Sequence, residues 1–198
     1  MTHARQRRVA LLIESSRGYG RDVLRGIARY AHEQGSWSIL YQERTLGDPL
    51  PPWLRRQKMD GVICRIETRS QAQALRSLRV PVVDVRGAWP DGGAPLITGD
   101  DEKVAQLAGE HLLGCGFKHL AFCGFKGVEY SDRRAAAYVE FCRRRGLPCH
   151  VYHPPRTIHH LLTTEYEADG LTTEYQVEKW LKDLPKPIGL MTCNDVRG

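Results

Sequence analysis

Long apolar runs are missing from this chain. No stretch approaches the roughly 18 residues that a membrane helix needs. The apolar segment Val9 to Ile13, which follows a basic start from Met1 to Arg8, is too short for a signal peptide. A cytoplasmic protein with no membrane contact is therefore expected. Catalytic signatures are missing as well. There is no nucleophile elbow, no phosphate-binding P-loop and no H-E-x-x-H pair, so a binding protein is expected and not an enzyme. C-x-x-C is also absent. The six cysteines, Cys64, Cys115, Cys123, Cys142, Cys149 and Cys193, are scattered along the chain. That spacing supports neither a zinc site nor a disulfide framework, and several of them lie in apolar runs, where a free thiol acts as a small hydrophobe. No metal and no cofactor is expected.

What is present suits a globular protein. The chain has 198 residues, 41% hydrophobic and 26% charged, enough for two lobes of about 100 residues each. Its net charge of +6 is compatible with nucleic-acid association. The basic patches Arg5-Gln-Arg-Arg8 and Arg143-Arg-Arg145 lack interleaved aromatics, however, and read as solvated surface.

Short apolar runs alternate with amphipathic stretches. Val9 to Ile13 reads as a buried strand and Arg21 to Gln34 as a helix ended by Gly35. Strands follow at Trp37 to Tyr41, Gly61 to Cys64, Val80 to Val85 and Leu96 to Thr98. Helices are expected at Trp53 to Gln57, Ser70 to Leu78 and, capped by Asp100, up to about Leu113. Trp89 to Gly93 reads as a loop. The pattern then restarts. His119 to Cys123 is a strand, and a helix capped by Ser131 or Asp132 runs to Arg145. Cys149 to Tyr152 is a strand, Thr172 to Leu184 a helix and Ile188 to Thr192 a strand. This alternation implies right-handed crossovers and parallel sheets, hence two α/β lobes at residues 1–117 and 118–198. The second lobe has only three strands and no helix after Thr192, so it is expected to be incomplete. The pentapeptide Leu162 to Tyr166 recurs at Leu171 to Tyr175, too short to be a solenoid repeat.

Ligands of open α/β sheets bind beyond the carboxyl ends of the strands. The loops there hold Glu14 to Tyr19, Arg65 to Glu67, Arg86 and Gly87, Gly99 to Asp101, Gly124 to Gly127, and Asn194 with Asp195. The mixture of Asp, Asn and Arg with Tyr19, Trp89, Phe125 and Tyr130 suits a sugar. Aromatic faces pack on the ring, and the polar groups satisfy its hydroxyls. A dinucleotide reading of Gly18-Tyr-Gly20 competes, with Glu43 as the ribose acid. Val23 stands where the third glycine belongs, and four residues separate the strand from Gly18. His150, His153, His159 and His160 cluster around Pro154-Pro155 without metal-ligand spacing.

Several segments resemble one known family, the xylose operon regulators. They are Arg8 to Ile27, Asp60-Gly-Val-Ile63, Val80-Pro-Val-Val83, Asp100 to Gly124 and Gly189 to Arg197. The resemblance covers nearly the whole chain and is weakest from Pro154 to Thr173. It implies a two-lobed sensor of the type I periplasmic-binding-protein and lactose-repressor kind, with a sugar effector, a pentose such as xylose, in the interlobe cleft. It also implies a homodimer, and operator DNA read by an arabinose-regulator-type helix-turn-helix domain that this sequence does not include. The ligand residues it implies are Ser15, Ser16, Tyr19, Arg65, Arg86 and Asp100 from the first lobe, and Tyr130, Arg134, Asn194 and Asp195 from the second. The alternatives are a sugar-binding protein without a transcriptional role and, third, a nucleotide-binding α/β enzyme.

Overall fold

The computed structural model describes residues 5–35, 37–89, 93–154 and 162–198. The chain forms two compact units, residues 1–98 and 99–198. The first holds β1 (Arg7–Leu12), α1 (Gly18–Gln34), β2 (Trp37–Tyr41), a short α2 (Trp53–Arg56), β3 (Gly61–Cys64), α3 (Arg69–Arg76) and β4 (Val82–Asp84). All pairings are parallel, in the order β2-β1-β3-β4. Strand β1 has a neighbour on each side and is buried from Val9 through Leu12, as a parallel strand covered on both faces must be. Ala10, Leu12, Val62, Cys64, Leu54 and Leu75 form its core.

Local chemistry sets the element ends. Gly35 closes α1 in a left-handed conformation, φ 61°, donating its N–H to the Ala31 carbonyl. Thr68 and Gln71 form a reciprocal capping box on α3. The strand expected at Leu96 to Thr98 is reduced to a single bridge between Leu96 and Asp84.

The second unit holds α4 (Asp101–Gly114), β5 (His119–Cys123), α5 (Glu129–Arg144), β6 (Cys149–Val151), α6 (Thr163–Thr172), α7 (Glu174–Lys182) and β7 (Ile188–Thr192), followed by a 3-10 turn at Asp195–Arg197. Its parallel sheet runs β6-β5-β7. The first strand again lies in the middle, here with Leu120 and Phe122 in a core that includes Tyr138, Phe141 and Tyr166.

Helix α4 moves the boundary that the sequence pattern placed at 117/118. It packs mainly on α5 and on β7, and its Gly109 leaves room for the Phe141 ring. It therefore belongs with the strands that follow it. Helix α5 begins at Glu129, earlier than the expected caps. Ser131 and Asp132 lie in its first turn and reach backward, Ser131 Oγ accepting from Phe125 N at 2.9 Å and Asp132 from Gly127 N. Helix α6 was not expected at all. It takes in Thr163 to Tyr166 of the first pentapeptide copy and only Leu171 and Thr172 of the second, and Tyr166 anchors it, its ring 5.1 Å from that of Phe125. Among the described residues no helix is long and apolar enough to cross a membrane.

Candidate ligand-binding site

In the first unit, each of the strands β1, β3 and β4 ends in charge. Glu14 follows β1, Arg65 and Glu67 follow β3, and Asp84 and Arg86 close β4. All five are nearly sealed from water. The side chains of Glu14, Glu67, Arg86 and Arg65 are 1%, 4%, 6% and 10% exposed. Charges so placed must be paired, because desolvating them costs several kcal/mol each. Arg65 Nη1 lies 3.0 Å from Glu14 Oε1 and its Nε donates to Glu67 Oε1 at 2.6 Å. Arg86 Nε lies 3.6 Å from the same Glu67 oxygen. Asp84 accepts the backbone N–H groups of Ile66, Arg86 and Gly87, which ties the β3 and β4 loops to one carboxylate. Gln71 holds the Glu67 backbone from α3 through its Oε1, and its amide donates to the Asp48 carbonyl. Burial pushes the Glu14 carboxyl above the ordinary range, with Arg65 opposing and Glu67 adding to the shift.

The implied ligand residues Tyr19, Arg65 and Arg86 are brought together here. Tyr19 donates its hydroxyl to the Val85 carbonyl at 2.7 Å, and the Arg65 guanidinium lies 5.6 Å from the centre of its ring. Ser15 sits at the rim, half-buried, its carbonyl accepting from Arg21, while Ser16 is exposed. Glu14, Glu67 and Asp84 were not singled out from the sequence as site residues. The available signal was a charged residue at the carboxyl end of a buried strand.

Gly20 explains the Gly-Tyr-Gly run differently from the dinucleotide reading. A Cβ there would stand 2.0 Å from the Glu14 carbonyl oxygen and 2.7 Å from its Oε1. The glycine admits Glu14 against the first turn of α1. A carboxylate thus occupies the place where a dinucleotide diphosphate would meet the helix.

The second unit assembles Tyr130, Arg134 and Asn194. Arg134 Nε donates to Asp101 Oδ1 at 3.1 Å, and its Nη1 donates to the Cys193 carbonyl. Its guanidinium lies 5.6 Å from the Tyr130 ring centre. The Asn194 amide donates to the Tyr130 hydroxyl at 2.9 Å, and its Oδ1 accepts from Arg197 N. Burial raises the Tyr130 hydroxyl well above its usual range. Asp195 is exposed and starts the 3-10 turn. Asp100, expected in the first lobe, caps α4 in the second unit by accepting from Lys103 N. Its neighbour Asp101 pairs with both Arg133 and Arg134.

A cavity of about 580 Å³ in the first unit lies elsewhere, between the segment 47–56 and α3, lined by Leu50, Leu54, Leu78, Arg55 and Gln71. Its arginines are exposed and its floor is leucine, so it lacks the converging buried charges of the strand ends. Among the described residues, no group of three or more His, Cys, Asp or Glu could hold a metal ion. His159, His160 and the loop residues Pro90 to Gly92 lie outside the described residues.

Comparison with known proteins divides along the same two parts. Residues 8–94 match the family model described as XylR N-terminal domain, and residues 110–198 match the periplasmic binding protein-like domain. The xylose operon regulatory protein of Escherichia coli (strain K12) is 28% identical over 200 residues, covering 98% of this chain and 49% of its own length. The structure of a xylose-binding transcription activator, XylR, superposes with a TM-score of 0.69 at 22% identity, covering 95% of this chain and 47% of that one. A periplasmic ribose ABC transporter structure from Conexibacter woesei gives 0.66 at 18%, covering 98% and 66%. The chain spans about half the length of the curated relatives it matches.

Proposed function

We propose that this chain, similar to the XylR N-terminal domain over residues 8–94 and to xylose operon regulatory proteins over its length, is the sugar-sensing region of a cytoplasmic transcription regulator and takes a pentose, xylose foremost. The observation that carries this reading is the buried charged cluster at the strand ends of the first unit. It sets the Arg65 fork beside the half-exposed ring of Tyr19, with a second fork, Arg86, 3.6 Å from the same Glu67 oxygen. An arginine fork bridges two adjacent hydroxyls, and an aromatic face takes the apolar side of a pyranose ring. Tyr19, Arg65 and Arg86 are the proposed contacts in the first unit, with Ser15 and Ser16 at the rim. Tyr130, Arg134 and Asn194 are those of the second, with Asp100 and Asp195 further out. No covalent step is involved. The sugar acts by binding one of two conformations more tightly, and the shift in population is the signal. The output is operator DNA, bound by the protein as a homodimer through a helix-turn-helix domain.

Calorimetric titration of the protein with D-xylose, D-ribose, L-arabinose and D-glucose tests this, with NAD as a control. Saturable binding of a pentose is expected. Binding of NAD and of none of the sugars would overturn the reading in favour of a nucleotide enzyme.

A further inference from the structure

Glu14 is held more tightly than a surface carboxylate and is satisfied at only one end. Its Oε1 meets Arg65 at 3.0 Å. Its Oε2 is buried and has no hydrogen-bond partner among the described residues. The glycine at position 20 exists sterically to admit this side chain. Arg65 in turn has its Nε on Glu67 and its guanidinium beside the Tyr19 ring. One of the proposed sugar contacts is therefore gripped from two sides by carboxylates on different strands.

We propose that Glu14 is a positioning residue for sugar recognition, acting through Arg65. Its ionised carboxylate and that of Glu67 together set the guanidinium pose, and loss of the Glu14 charge removes one of these two carboxylate anchors. This rests on the sensor reading above. The physical reason is preorganisation. A planar fork matches a pair of hydroxyls only when its orientation is locked before the ligand arrives.

The groups facing Glu14 are Arg65 and Glu67 from the end of β3, Arg17 from the loop before α1, Tyr19 from α1 and Arg44 from the loop after β2. Burial outweighs Arg65 and Arg17 and lifts the Glu14 carboxyl above its usual range. A proton enters at Oε2, because Oε1 is engaged. The sign follows. Arg65 has both anchors above the raised pKa and loses one as the pH falls through it, so sugar binding weakens toward acid.

The test is calorimetric titration of the protein and of Glu14→Gln with D-xylose, from about pH 8 down to about pH 4, below the ordinary glutamate range. The unmodified protein should lose affinity at the acid end. Glu14→Gln should bind about tenfold more weakly at the upper pH, as for a lost hydrogen bond to a charged group. It should also show no acid limb, a feature that a merely structural defect would not remove. Should Glu14→Gln melt before assay, Glu14→Asp must keep an acid limb. A flat profile for the unmodified protein overturns the proposal without any variant. So does a Glu14→Gln protein that retains both the affinity and the limb. Absence of any pentose binding at every pH instead overturns the sensor reading itself.

Discussion

At the strand ends of the first unit, three carboxylates and two guanidinium groups are packed almost out of reach of water. Beside the end of β7 in the second, Tyr130 and Arg134 of α5 and the Asn194 amide do the same work less deeply buried, with Arg134 22% exposed. Both sheets place their first strand in the middle and the next two on either side. The topology is shared, yet the means of holding polar groups at the sheet edge differ. Buried ion pairs are rigid but costly when broken, because removing one partner strands the other in low dielectric. Partly buried hydrogen bonds give less orientation and forgive more, since water can reach a lost partner.

Substitutions should separate the two regimes. Arg65→Met leaves Glu14 and Glu67 without their main partner and should cost about 3 kcal/mol or more. Urea denaturation followed by circular dichroism measures it, and a loss no larger than that of Arg134→Met would break the contrast. Gly20→Ala forces a Cβ onto the Glu14 carbonyl oxygen and should cost about 2–3 kcal/mol. Gly109→Ala in α4 puts a Cβ 2.1 Å from the buried Phe141 ring, itself stacked on Tyr138, and should cost a similar amount in the same assay. Arg134→Met gives up the Asp101 pair and the Cys193 carbonyl and should cost about 1–2 kcal/mol, with weaker pentose binding by calorimetry.

The smallest effect belongs to α5. Arg143 and Arg144 pull the Glu140 carboxyl down to about 2. A depressed carboxylate contributes only above its unfolded pKa, and the contribution is lost as pH falls toward about 2. These groups are largely exposed, so Glu140→Gln should leave the urea midpoint unchanged at neutral pH and in added salt.

Much of the fold was legible. Gly61–Cys64, His119–Cys123 and Ile188–Thr192 form strands where four or five residues, mostly apolar, sit between turn residues, the pattern that a buried parallel strand requires. Helix α6 was not legible. Its threonines, its Gly170 and its weak apolar periodicity argue against a helix, and packing of Tyr166 on Phe125 overrides that preference. The early start of α1 was hidden for a related reason. Gly18 and Gly20 read as loop residues, and only the approach of Glu14 explains why a glycine stands in the first turn.

The sequence by itself determined the alternation of strands and helices, and it named the loops where polar residues gather. Both follow from local periodicity and chain direction. The choice of Tyr19, Arg65, Arg86, Tyr130, Arg134 and Asn194, with Ser15, Ser16, Asp100 and Asp195, as ligand residues came from the family resemblance and not from local pattern. Only the tertiary structure decided which charge meets which. Glu14 and Arg65 are 51 positions apart, and Arg134 and Asp101 are 33. Strand order places the first pair at neighbouring strand ends, and the packing of α4 on α5 makes the second. Such pairings depend on strand order and helix packing, which no local pattern encodes. In the first unit burial then makes them decisive, because a charge sealed at 1% exposure cannot turn to water for a partner.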